Sequence, residues 1–257
     1  MEPNINFLLK IVTKAGNELL KFSGKVKEYQ IKKGNPKDIV TEADKYIEKF
    51  IINEINKKFP EHTIIAEESG KSLINPEKIW YIDPIDGTTN FLHNFPIYGI
   101  SIGYQEFNEM KLAAIYFPAL KELFYAEKGK GAYKNKKRIF VSNQTDINNA
   151  LLATGFACLR SGLKENNLKY FNKIITQVRD IRRTGSATFD LCSVATGRLD
   201  GFWEINLSSW DVMAGFLIVQ EAGGKVTDFN DTPNFNQNRQ IVASNGKIHK
   251  DFLKFFK

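Results

Sequence analysis

The chain has 257 residues, enough for one large domain or two small ones, and its 42% hydrophobic and 25% charged content argues against disorder over most of its length. Its apolar runs fall short of the ~20 residues that a membrane-spanning helix needs, so no membrane segment is expected. A formal net charge of +7 would attract nucleic acid or anionic substrates without choosing between them.

In chain order, Phe7, Leu8, Ile11, Val12, Ala15, Leu19 and Leu20 recur at helical spacing and predict an amphipathic helix ending near Gly24. Lys10 and Lys14 interrupt its apolar part and no basic start precedes it, so it reads as structure rather than a targeting segment, in a cytoplasmic protein. Val26 to Lys32 reads as a strand and Lys33-Gly34-Asn35-Pro36 as a turn. Thr41 to Asp44 carries a capping-box pattern that opens a helix through Ile47, Phe50, Ile51, Ile55 and Phe59. Short strands follow at Thr63 to Ala66 and Ile79 to Ile82, then three more between Ile97 and Ala126. This first half is expected to be α+β with an antiparallel sheet. KNKKR (Lys134 to Arg138), the densest basic cluster, reads as a solvated hairpin.

The second half alternates differently. Strands are expected at Leu151 to Thr154, Arg179 to Arg182, Gly201 to Glu204 and Ile241 to Ser244. Helices are expected at Glu165 to Val178, Ala187 to Gly197, Ser209 to Ala222 and from Lys247 onward, a rhythm that suggests an α/β unit. A division near Asn143 to Asn149 gives segments 1–145 and 146–257, with no flexible linker between them. Cys158 and Cys192 lack metal-type spacing and read as buried reduced thiols.

Chemistry gathers at strand and helix ends. In WYIDPIDGTTNF, Asp83 and Asp86 flank a proline where an apolar run stops, and Pro84 and Gly87 predict a tight turn. Two carboxylates that close raise each other's proton affinity unless a cation lies between them, and no neighbouring Lys or Arg supplies one. An all-oxygen Mg²⁺ site and a simple turn cap both account for the motif. Glu67-Glu68-Ser69 also follows a strand, and Asp211 opens an otherwise apolar helix, where it could serve the macrodipole or a metal. Three such places together favour a metal. Thr88 could orient a water or cap the next turn. The small residues after Arg183 could receive an anion at a helix start, or Ser186 could simply cap it. His62 and His93 read as structural.

Together DIVTEAD (Asp38 to Asp44), AEES (Ala66 to Ser69), WYIDPIDGTTNF and WDVMAGFLIVQEAGG (Trp210 to Gly224) resemble, in order and over nearly the whole chain, the inositol monophosphatase family in its bacterial SuhB-type branch. The resemblance implies a layered α-β-α-β-α sandwich of the sugar-phosphatase type, a homodimer, and lithium-sensitive, Mg²⁺-dependent hydrolysis of a phosphate monoester. It implies two to three Mg²⁺ ions: Glu67, Asp83 and the Ile85 carbonyl as ligands of the first, Asp83, Asp86 and Asp211 of the second, and Glu67 facing a weaker third. Thr88 matches the threonine beside the attacking water and Asp44 its supporting carboxylate, with Glu67, Thr88 and Asp44 as the catalytic set. Asp86 and the backbone of Gly87 and Thr88 would face the phosphate, and Gly185, Ser186, Ala187 and Glu204 the remainder of the substrate. Lys33 matches a loop lysine near the metals, in a register that could slip to Lys32. On this reading residues 1–145 carry most ligands, and residues 146–257 carry the substrate-binding side chains and Asp211, in one compact catalytic unit. Within the superfamily the alternatives are fructose-1,6-bisphosphatase, histidinol-phosphatase and 3′-phosphoadenosine nucleotide phosphatase. Outside enzymology, the alternative is an RNA or transcription-complex partner with vestigial catalysis.

Overall fold

The computed structural model describes residues 2–26, 28–36 and 39–257, without the side chain of Lys33. Asp38 of the DIVTEAD motif and Lys27 of the expected first strand lie outside the described residues, as does the Lys33 side chain.

Helix α1 (Ile5–Leu20) starts where Asn4 accepts the Phe7 N–H and buries the predicted apolar stripe. A two-stranded flap follows, β1 (Tyr29–Ile31) and β2 (Ile39–Thr41). The strand expected over Val26 to Lys32 is thus shortened: among the described residues β1 pairs only with β2, all three of its residues are exposed, and a 3₁₀ turn over Lys32–Gly34 takes over. Helix α2 (Glu42–Asn56) begins with the expected capping box, Thr41 accepting the Ala43 N–H and Asp44 accepting the Thr41 N–H.

The first sheet is built from β3 (Thr63–Ala66), β4 (Gly70–Ser72), β5 (Lys78–Asp86), β6 (Gly99–Glu106), β7 (Glu109–Phe117), β8 (Glu122–Glu127), β9 (Gly131–Lys134) and β10 (Lys137–Arg138). Its order is β10-β9-β8-β7-β6-β5-β3-β4. The β3–β5 pair is parallel, so the sheet is mixed where a purely antiparallel one was expected. The chain leaves β3 through the β4 hairpin and re-enters β5 in the same direction. Asn135 and Lys136 turn the β9–β10 hairpin with positive φ, placing the basic cluster in solvent.

The second sheet contains β11 (Leu151–Thr154), β12 (Asp180–Arg182), β13 (Gly201–Ile205), β14 (Lys225–Thr227) and β15 (Gln240–Ser244), in the order β12-β11-β13-β15-β14. Its helices are α4 (Ala157–Arg160), α5 (Leu168–Ile174), α6 (Ala187–Ala195), α7 (Ser209–Glu221), α8 (Phe235–Asn238) and α9 (His249–Leu253), after the short α3 (Thr88–Leu92).

Three buried clusters define five layers. One joins α1 and α2 to a face of the first sheet, through Leu8, Ile47, Trp80 and Ile102. The central one packs α6 and α7 between the two sheets, through Ile115, Leu191, Leu217 and Phe202. The third covers the far face of the second sheet with α4, α5 and α9, through Cys158, Ile174, Trp203 and Phe252. This is the expected α-β-α-β-α sandwich, and its central core draws on both 1–145 and 146–257. Helix α7 is apolar all round because it is buried between sheets.

Candidate active site

Asp83 and Asp86 both lie within β5. Side chains three apart in a regular strand point to opposite faces. Here Asp83 pairs with Ser101 and Asp86 with Gly99, so the ladder slips by one residue at Pro84 and Ile85. That bulge cancels the alternation and turns both carboxylates toward the same place. The tight turn expected across Pro84 to Gly87 is therefore displaced. Proline, having no N–H to offer, fits the bulge, and the chain turns only at Gly87, with φ 89°. A Cβ on Gly87 would stand 2.8 Å from the Ile97 carbonyl, so the position needs glycine twice over.

Each acidic group has its own support. Asp83 accepts the Ile85 N–H at 3.0 Å. Asp86 accepts from the Ser186 hydroxyl at 2.6 Å, the Thr188 N–H at 2.7 Å and the Thr188 hydroxyl. The start of α6 thus holds a carboxylate from the other sheet, and Ser186 also caps that helix by accepting the Phe189 N–H. Ser186, matched by resemblance to the substrate segment, spends its hydroxyl on Asp86. Asn90 ties the same region together, donating to the carbonyls of Ile97 and Thr184. The Asp211 carboxylate caps α7 by accepting the Ser208 N–H at 2.6 Å, and it also faces the other acids.

Glu67 and Glu68 sit on the turn after β3, which Glu48 of α2 grips through the N–H groups of Glu68 and Ser69. A lysine does reach them. Lys32 Nζ, carried in by the flap, lies 2.8 Å from Glu67 and 2.6 Å from Glu68. Burial works against the Lys32 charge, but the two glutamates outweigh it and raise its pKa. Burial and the Glu67 charge raise Glu68 to about 7, with Lys32 opposing and Asp44 adding a little.

The Thr88 hydroxyl lies 3.1 Å from Asp44 Oδ1 and 3.0 Å from the Ile85 carbonyl. Burial raises Asp44 to about 6, against its bonds to Thr41. Asp83 is raised well above the carboxylate range by burial and then by Glu67, Asp86 and Asp211, and Asp211 by burial, Glu67, Asp86 and Glu204, against its bond to Ser208. Glu67, Asp83, Asp86 and Asp211 therefore share one volume. Among the described residues no three such groups stand at ready ligand spacing. The donor set nevertheless fits a hard divalent cation: buried carboxylates that raise one another's proton affinity, a lysine already drawn to them, and an unpartnered Ser101 hydroxyl opposite Asp83.

Glu204, on β13, is buried and near enough to Asp86 and Asp211 for their charges to act on one another. It accepts the Ala157 N–H at 2.9 Å, and burial raises it to about 7. A Cβ on Gly155 would stand 2.2 Å from its carboxylate, so Gly155 makes room for it. Gly155, Thr188, Asn90, Glu48 and Lys32 all serve the site without having been singled out for these contacts in the sequence. Only Lys32, adjoining Lys33, carried any signal. The two histidines differ: His62 accepts the Trp80 indole N–H between aromatic rings, a structural role, whereas no such contact marks His93 among the described residues.

A model of the inositol monophosphatase family matches residues 1–256. A protein of Synechocystis named inositol-1-monophosphatase is 41% identical over 93% of this chain and 84% of its own length. The Nus factor SuhB of Salmonella typhimurium is 39% identical over 98% of this chain and 95% of its own. The crystal structure of the extragenic suppressor protein suhB of Bartonella henselae superposes with a TM-score of 0.91 at 36% identity, covering 98% of this chain and 97% of that one. The IMPase of Thermotoga maritima gives 0.88 at 38% identity, covering 98% and 95%.

Proposed function

Because this chain belongs to the inositol monophosphatase family, we propose that it hydrolyses a polyol phosphate of the inositol-1-phosphate type with the help of Mg²⁺. The observation that supports this most is the single volume shared by Glu67, Asp83, Asp86 and Asp211, with the Thr88–Asp44 pair at its edge.

Glu67, Asp83 and the Ile85 carbonyl would hold one ion and Asp83, Asp86 and Asp211 a second, with Glu67 facing a third. When bound, Mg²⁺ neutralises phosphate charge and lowers the pKa of a nearby water. The chain's own residues do the rest. Thr88, donating its proton to Asp44, keeps its oxygen lone pairs free to accept from a water and fix its direction. Asp44, with its proton affinity near neutrality, is suited to take up the proton that the water loses. Gly87 lets the backbone pass close to the phosphate, where it and Thr88 would present their N–H groups. The segment Gly185 to Ala187 would line the substrate's far side through its backbone, and Glu204 would accept hydrogen bonds from ring hydroxyls. Lys32, the other register of the Lys33 match, lies against Glu67 and Glu68.

We further propose a cytoplasmic homodimer, each copy one catalytic unit built from 1–145 and 146–257. No helix among the described residues is long and apolar enough to cross a membrane. The relatives named Nus factor support a second proposal, contact with RNA or a transcription complex alongside catalysis. The test is turnover of a panel of phosphate esters with Mg²⁺, with and without lithium and a chelator. Inositol 1-phosphate hydrolysis that needs Mg²⁺ and falls with lithium is expected. Hydrolysis that survives chelation would overturn the metal reading.

A further inference from the structure

Asn167 is fully buried at the start of α5, a place where asparagine is a favoured helix cap. It does not cap. Its backbone is already helical, with φ −71° and ψ −12°, and its side chain makes no bond to the first turn. The amide turns inward instead, and its Nδ2 group donates to the Gly155 carbonyl at 2.6 Å and to the Thr154 hydroxyl at 3.2 Å. Its Oδ1 has no hydrogen-bond partner among the described residues. A buried amide with an unused acceptor costs stability, and α5 gains no cap in return.

What Asn167 grips is the support of Glu204. Strands β11 and β13 run parallel, and the last pair of their ladder is Thr154 with Trp203. Glu204 comes one residue later, with Ile241 of β15 beside it on the other side. On the β11 side, side chains take over where the ladder stops. The Thr154 hydroxyl donates to the Trp203 carbonyl at 2.7 Å while accepting from Asn167. Gly155 then lies directly against the Glu204 carboxylate, where a Cβ would stand 2.2 Å and 2.4 Å from its two oxygens. Ala157, two residues on, donates its N–H to the same group. Residues 154–157 are thus both wall and anchor for Glu204, packed so closely that a displaced Gly155 must displace the carboxylate with it.

We propose that Asn167 is a positioning residue for polyol recognition: through Thr154 and Gly155 it fixes the Glu204 carboxylate where ring hydroxyls meet it, and so sets the preference for polyol over aryl phosphates. This rests on the phosphatase reading above and on the place given there to Glu204, and it concerns how that carboxylate is held. The side-chain bonds of Asn167 go to Thr154 and Gly155 and to none of Glu67, Asp83, Asp86 and Asp211. Its loss is therefore felt in the choice of ester rather than in the cleavage of the phosphate.

The experiment measures kcat and KM of the full chain with Mg²⁺ on inositol 1-phosphate and on 4-nitrophenyl phosphate, which has no ring hydroxyl. Asn167→Ala should cut the inositol-to-aryl ratio of kcat/KM by about tenfold, chiefly by raising KM for inositol 1-phosphate, the scale of one hydrogen bond to a charged group. Thr154→Val, which removes the hydroxyl and keeps the shape, should move the ratio the same way, and Thr154→Ser should restore it. In a Glu204→Ala background, Asn167→Ala should change the ratio by less than about twofold, because the group it acts through is gone. Equal losses on both esters, or the same fall in ratio with and without Glu204, would overturn the proposal and make Asn167 a general support of the fold. Should Asn167→Ala fail to fold by circular dichroism, the Thr154 pair decides: equal ratios in Thr154→Val and Thr154→Ser overturn it. In all these outcomes the wild type still cleaves both esters and the phosphatase reading stands; hydrolysis of neither ester by the wild type takes down both readings.

Discussion

Asp86 and Glu67 belong to the same group of acids, yet they are held by opposite means. Asp86 is buried and receives three hydrogen bonds from Ser186 and Thr188, all neutral donors fixed at the start of α6. Glu67 is only partly buried and is met by an ammonium group on a two-stranded flap. Neutral donors orient a carboxylate and leave its charge available to a cation. A lysine cancels that charge and must give way before a cation can use it. One side of the site is thus pre-built and the other is competitive.

The largest effect should come from the residue both sides depend on. Asp83 bears on Glu67, Asp86 and Asp211 together, so Asp83→Asn should lower Mg²⁺-dependent turnover by about a thousandfold. The fold should survive, because the amide still accepts the Ile85 N–H. Near wild-type activity in a steady-state assay would remove the common centre from the comparison.

Glu204 offers a third way of holding an acid: one backbone N–H in a buried pocket. Its pKa rises from the ordinary 4.5 to about 7 through burial, so the native state keeps a proton that the unfolded chain has lost. Stability should therefore fall as pH rises from 4.5 to about 7 and stay level above it, by at most about 3 kcal/mol at 1.36 kcal/mol per unit. Glu204→Gln keeps the Ala157 contact and removes the charge. Urea unfolding should show the variant gaining on wild type at pH 8 and not at pH 4. An equal difference at both pH values would mean that burial does not raise the Glu204 pKa above its unfolded value.

Most of the fold was legible because its elements carry strong local signals: the apolar stripe of α1, the capping box of α2, and the strand runs before each acidic motif. The flap was overestimated because Val26 to Lys32 has strand-like residues but no core to bury them in. The parallel β3–β5 pair and the bulge at Pro84 depend on pairing partners far along the chain, which local pattern does not encode. The candidate site divides in the same way. The acids stand at motif positions, whereas Thr188 acts on a residue 102 positions away and Lys32 on one 35 positions away. Gly155 gives no signal until Glu204 is seen beside it.

On the pre-built side, Ser186→Ala removes one neutral donor from Asp86 and the cap of α6. Mg²⁺ binding measured by calorimetry should weaken by about tenfold, in line with about 1.4 kcal/mol for a hydrogen bond to a charged group. Unchanged affinity would mean that Thr188 alone suffices to orient the carboxylate.

The smallest effect is also the most discriminating, because its sign is reversed. Lys32→Met deletes the ammonium that sits on Glu67 and Glu68 and leaves their charges facing each other. A cation entering that variant displaces nothing and relieves more repulsion, so Mg²⁺ should bind about fivefold more tightly, less than one full ion-pair's worth because the site is partly open to water. The same titration on Ser186→Ala moves the other way. Lys32 also anchors the flap, so its loss should speed protease cleavage between Tyr29 and Thr41 in the absence of Mg²⁺. If Lys32→Met weakened Mg²⁺ binding as Ser186→Ala does, the lysine would be a support for the site like the others, and the contrast between its two sides would collapse.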